Sequence, residues 1–156
     1  MPQIVTQGPQ NVTFREESVV ITCTEAVTKG TLVSLIITDA AGDVPVGFSS
    51  CDVADTADVT PDQIIGVATD TVAAGSKGKI VLRGVVDIKC DSAVAKGSAL
   101  QASASNGGNA DVLTAPAGGG TTRLKCIGVA LVASGSDGNL CTSLFDGVSG
   151  FSAGSA

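Results

Sequence analysis

The chain has no histidine, no tryptophan and no tyrosine among its 156 residues. Without histidine, Ser-His-Asp and Cys-His nucleophilic sites are excluded, as are His-ligated metal centres. Without tyrosine or tryptophan, the usual stacking platforms for sugars and bases are missing. Charge is scarce too: 15% of residues are charged, against about 25% in an average soluble protein. The nine basic residues are scattered and the net charge is −6, which argues against a nucleic-acid partner, because phosphate binding draws on clustered Lys and Arg. No stretch approaches the roughly 18 consecutive apolar residues of a membrane helix. Met1 to Gly8 carries neither the basic nor the apolar segment of a secretory leader. Five cysteines, an odd number with no Cys-x-x-Cys spacing, fit reduced thiols. The glycines at 118–120 are not followed by Lys-Ser/Thr and open no helix, so they form no phosphate loop. An enzyme is not expected, and neither is a cofactor.

What the chain does have is a repeat. Cys23–Leu32 returns 67 positions later as Cys90–Ala99, Ile65–Ala68 returns as Ile127–Ala130, and Ala73–Ile80 matches Ala133–Leu140. The order is kept and the spacing drifts little, which marks a duplicated β-unit. Gly75 is set against Gly135 in this match, and Gly78 against Gly138. The repeated residues are turn-formers and small apolar groups, so the duplication concerns scaffold. Cys23 and Cys90 hold equivalent places, while Cys126 aligns with Ile64 and Cys141 with Val81. Thiols that exchange with Ile and Val behave as small buried apolar groups.

Hydrophobic residues reach 44% but aromatics only 3%, so the core is built from Val, Ile, Leu and Ala. Strand patterns follow one another. Val19, Ile21 and Cys23 share a face, and 31–38 is an apolar run between turns. Residues 79–90 alternate cleanly, as a half-buried antiparallel strand does. Gly84 within that strand marks a bend, bulge or close backbone approach. Asn106-Gly107 calls for a hairpin between 98–103 and 111–115, and 123–132 and 139–145 supply further strands. Thr60-Pro61 starts at most one helical turn. The fold class is therefore all-β, a small sandwich or barrel made from a duplicated β-unit. Residues 1–17 read as an extended N-terminal arm, 18–146 as the β-domain with units 18–87 and 88–146, and 147–156 as a loose tail.

Asp52, Asp55, Asp58 and Asp62 crowd a stretch that reads as a loop. Clustered carboxylates are what Ca²⁺ takes, but the spacing fits no EF-hand, and a solvated acidic loop is the better reading. Lys29 and Lys96 stand beside turn glycines Gly30 and Gly97, where a soluble residue is ordinary. In the arm, Ile4-Val5 and Val12 to Phe14, followed by Arg15, have the pattern of short strands added to a partner's sheet edge.

The motifs at Ala26–Val33, Ile65–Ala68 and Ala73–Val85, with second copies at Ala93–Leu100, Ile127–Ala130 and Ala133–Leu140, resemble the small all-β decoration (cement) proteins of tailed bacteriophages. The resemblance spans about 18–145. It implies a structural protein on the capsid exterior of a virion, assembled in the host cytoplasm. Its partner would be the major capsid protein, gripped through arm residues Ile4, Val5, Val12, Phe14 and Arg15, and it would stand as a trimer. A receptor-binding or fibre-associated β-module of a virion is the competing expectation; the missing aromatics count against a carbohydrate receptor.

Overall fold

The computed structural model describes residues 15–39, 45–54, 64–103, 105–114, 124–148 and 151–153. Among them there are eleven strands and no helix, so none is long and apolar enough to cross a membrane. In chain order they are β1 (Glu17–Cys23), β2 (Leu32–Asp39), β3 (Pro45–Val53), β4 (Ile65–Ala68), β5 (Lys77–Lys89), β6 (Ala99–Ala102), β7 (Ala110–Val112), β8 (Leu124–Cys126), β9 (Gly128–Ala130), β10 (Leu140–Asp146) and β11 (Phe151–Ala153).

Nine of these strands form one sheet in the order β1-β3-β2-β4-β5-β10-β9-β6-β7. Because β1 also pairs with β5, the first five strands close on themselves as a small barrel. The closure is a short parallel contact, Thr22 with Ser50 and Cys23 with Cys51. The other four strands, together with β5, form a second ring, closed by the parallel bridge between Cys90 and Ala110. One strand, β5, serves both rings. Its residues 77–83 pair with β1 and its residues 83–89 pair with β10. The expected alternation holds at its two ends, where Ile80 and Ile88 are buried and Lys79 and Val85 exposed, but breaks at Val81, which is buried as well. Gly84 has φ of 131°, and the register slips beside it between Glu17 and Ser18, so the strand is bulged there.

Backbone hydrogen bonds of one ring recur in the other. Val27 and Val72 exchange both N–H···O bonds at 2.9 Å, as do Val94 and Ser134 at 2.9 Å. The N–H of Gly30 donates to Ala68 at 2.8 Å, and that of Gly97 to Ala130 at 2.8 Å. The N–H of Gly75 donates to Cys23 at 2.7 Å, and that of Gly138 to Cys90 at 2.8 Å. This last pair corrects the motif match: Gly75 corresponds to Gly138, not Gly135. The turn needs a left-handed residue, and Gly75 (φ 78°) and Gly138 (φ 75°) supply it. It follows from the strand registers that Cys141 corresponds to Gly78 rather than to Val81, since Ile21 faces Gly78 and Ile88 faces Cys141.

Two apolar clusters fill the rings. The first holds Ile21, Cys23, Val27, Val33, Leu35 and Ile80 among others. The second centres on Ile88, Cys90, Leu100, Ile127, Cys141 and Phe145, and it also takes in Leu32, Ala54, Ile65 and Val67 from outside the first ring. Residues 32–35 of β2 and the whole of β4 are thus buried on both faces, one inside their own ring and one against the neighbour. Burying each such side chain contributes about 1.5–3 kcal/mol.

Two segments differ from the sequence reading. The stretch containing Asp52 is not loop throughout, for Pro45–Val53 is a strand in which Asp52 pairs with Ser34; β2 requires a hydrogen-bonding partner on that edge. The expected strand at 123–132 is two strands, β8 and β9, in different sheets. Within the C-terminal segment, Phe151–Ala153 pairs with β8 as β11, Phe151 opposite Cys126.

Candidate interaction surface

Arg15 is the only residue of the expected capsid-binding set that lies among the described residues; Ile4, Val5, Val12 and Phe14 lie outside them. It is exposed and lines a groove of about 360 Å³ together with Arg83, Gly84, Gly128, Val129 and Leu144. Two glycines shape this groove. A Cβ at Gly84 would meet the Glu16 backbone at 3.2 Å, and one at Gly128 would meet the Leu144 carbonyl oxygen at 2.5 Å. Their bare backbones let the root of the arm and strand β9 draw close.

Ion pairs fasten that root to β5. Lys79 Nζ lies 2.5 Å from Glu16 Oε1, and Arg83 Nη1 lies 3.6 Å from Glu17 Oε2. Arg83 Nε donates to Asp146 Oδ1 at 3.1 Å, which also accepts the Val148 N–H at 3.1 Å. The hydrogen bond to Asp146 and the charge of that carboxylate raise the pKa of Arg83 above its usual value. Exposed pairs like these add little to stability because solvent screens them, so their effect is chiefly to fix where the chain enters the barrel.

Beside the groove runs an apolar row across strands. Val129 of β9 faces Leu144 of β10 on one side and Ala99 of β6 on the other, and Leu144 faces Val85 of β5. Val85 is 40% exposed and Val129 38%. The matching row of the first ring is Leu32–Val67–Val81, and all three are 0% exposed. One face is covered, and among the described residues its counterpart is partly exposed.

The covered face shows how the two rings meet. The Lys89 N–H donates to the Gly30 carbonyl at 2.9 Å, the Leu32 N–H donates to Gly108 at 2.7 Å, and Gly108 donates to Ala54 at 2.7 Å. Lys29 reaches Asp87 at 3.2 Å, and the Thr142 hydroxyl donates to the same carboxylate at 2.8 Å. The bond from Thr142, followed by Lys29, holds Asp87 below the ordinary carboxylate range against the opposing effect of partial burial. Lys29 therefore has a role across rings that its place in the turn did not announce; Lys29 and Lys96 are both exposed.

Asp52 sits in β3, while Asp55, Asp58 and Asp62 lie outside the described residues. Cys23, Cys90 and Cys141 are buried and Cys126 is partly buried. Burial, then the neighbouring Cys141, pushes the Cys90 thiol up to about 12, so it stays protonated at ordinary pH and is a poor nucleophile. The sequence reading missed the Val85–Leu144–Val129 row, since Val85 alone lay in the stretch, 79–90, whose alternation was read.

The same fold occurs in a phage head fiber. The N base of head fiber gp8.5 of bacteriophage phi29 superposes with a TM-score of 0.52, covering 86% of this chain and 98% of that one, at 18% sequence identity. No family model and no curated protein matches the chain.

Proposed function

We propose that this chain is a structural protein of a tailed-bacteriophage virion that binds the outer surface of the capsid shell and stabilises it by gripping major capsid subunits. The observation that carries the reading is the likeness to the phi29 head-fiber base across 86% of the chain. The decoration-type motifs over 18–145 support it from the sequence side. The grip is assigned to the arm, with Ile4, Val5, Val12 and Phe14 adding short strands to capsid sheet edges and Arg15 at its root. Each copy adds modest energy, and many symmetric copies, standing as trimers, resist internal pressure together.

Deletion of residues 2–15 tests this directly. Purified full-length protein should co-sediment with expanded empty shells, and the deleted form should stay in the supernatant while keeping its β-type circular dichroism. Normal binding by the deleted form would refute the arm's role. A second reading, a fibre-associated or receptor-binding module, is favoured by the neighbour's being a head fiber. Sedimentation with host cells instead of shells would support it.

A further inference from the structure

The joint between the two rings runs through one turn of the second. The Leu32 N–H donates to the Gly108 carbonyl at 2.7 Å, and the Gly108 N–H donates to the Ala54 carbonyl at 2.7 Å. Gly108 is buried, with φ of 81°, a left-handed conformation that glycine takes without steric cost. The turn that carries it is closed by the Asn109 N–H on the Asn106 carbonyl at 3.2 Å. Asn106 and Gly107 lead into Gly108 and are both exposed. The outer half of the turn therefore meets water while its inner half holds the rings together.

Side chains fix the outer half. Asn106 Nδ2 donates to Asp91 Oδ1, and the Ser103 hydroxyl donates to Asp91 Oδ2 at 2.5 Å. The same hydroxyl oxygen accepts the N–H groups of Ser105 at 3.1 Å and Asn106 at 3.2 Å. Asp91 is anchored in turn, its N–H donating to the Ala110 carbonyl at 2.8 Å. The Asn106 amide is thus a neutral donor set against a carboxylate.

Asparagine reacts most readily with its own backbone when glycine follows it, because no Cβ then shields the next amide nitrogen. The chain has asparagines at 11, 106, 109 and 139, followed by Val12, Gly107, Ala110 and Leu140. We propose that Asn106–Gly107 is a self-modification site, where deamidation through a cyclic imide loosens the joint between the rings. The Gly107 nitrogen gives its proton to hydroxide and attacks Asn106 Cγ. A five-membered imide closes as the new N–Cγ bond forms, and the Cγ–Nδ2 bond breaks, Nδ2 leaving as ammonia with a proton from water. Water then opens the ring at either carbonyl, giving aspartate or isoaspartate. One water is consumed and one ammonia released, with no change of oxidation state.

Both products replace the donor that faced Asp91 with a second carboxylate, and like charges at that distance oppose each other. Isoaspartate also inserts a methylene into the main chain between residues 106 and 107, directly before Gly108. The bonds of Gly108 to Leu32 and Ala54 then hang on a turn of altered charge and length. The first ring has no such site, since residues 39–45, which link β2 to β3, contain no asparagine. The reaction takes place within one chain and stands apart from the capsid reading.

The test holds the folded full-length protein in mildly alkaline buffer and follows the tryptic peptide Gly97–Arg123 by mass spectrometry. The peptide should gain the mass that exchange of NH2 for OH brings, with fragmentation assigning the change to Asn106 and separating aspartate from isoaspartate. Gly107→Ala should suppress the conversion. The converted protein carries one more negative charge and separates by anion exchange. It should unfold at lower urea than the fresh protein, and its Leu32 amide should exchange hydrogen faster. Asn106→Asp, which adds the charge without the methylene, should show part of that shift. Three results would each overturn the inference: a folded chain that stays unconverted where the urea-unfolded chain converts, conversion at Asn109 or Asn139 as fast as at Asn106, or Leu32 exchange unchanged in the converted protein.

Discussion

At the scale of single residues, the side chains that matter join parts of the sheet. Asp87 is the clearest case. Its carboxylate accepts from Thr142 on β10 and faces Lys29 from the other ring, and its pKa is lowered as a result. The contribution is present above the unfolded value of about 3.9 and is lost as pH falls through the lower folded value. Asp87→Asn should therefore cost less than about 1 kcal/mol at neutral pH, since the pair is partly solvent-screened. The difference from wild type should close at about pH 2. Urea unfolding at the two pH values measures it, and an equal deficit at both would show that charge is not the cause.

At the scale of elements, glycines decide how closely strands and turns approach. Gly30 and Gly97 have nearly the same backbone, φ 84° and 87°, but different surroundings. Alanine at either should cost about 1–2 kcal/mol for the left-handed conformation. At Gly30 the added methyl also meets backbone that cannot swing aside, the Lys89 nitrogen at 3.1 Å and the Asp87 oxygen at 3.3 Å, and that crowding adds a further cost on the order of 1 kcal/mol. Gly30→Ala should thus unfold at clearly lower denaturant than Gly97→Ala; equal midpoints would mean that the rings yield where they touch.

Elements were also where the sequence was most and least readable. The alternation of 79–90, the bulge at Gly84 and the hairpin at Asn106–Asn109 rest on local chemistry, and local chemistry is written in neighbouring residues. Strand β3 was read past because Pro45, Gly47 and Asp52 look like loop; it pairs with its sequence neighbour β2, Asp39 opposite Pro45, and only its contact with β1 is long-range. Ring closure at Cys23 and Cys51 has no local trace at all. Nor does the burial of Ile65–Ala68, four buried residues, against the half-open Gly128–Ala130; both carry Gly-Val-Ala, and only position in the assembly separates them. The same holds for the groove, whose residues looked like scaffold until the strands aligned them.

At the scale of the whole molecule, neither ring is complete without β5, so the rings are not separate domains. Unfolding should be one cooperative transition, with hydrogen exchange at Ile80 and at Ile88 protected to the same free energy. Two resolved transitions, one per ring, would contradict this. The thirteen residues of β5 have a mechanical consequence too. A pull on Arg15 along the axis of β1 loads the ladder from Glu17 to Thr22 in shear, its hydrogen bonds sharing the force instead of parting one by one. Tension that crosses into β5 then passes to the second ring through covalent backbone, so the link between the rings is as strong as the chain itself.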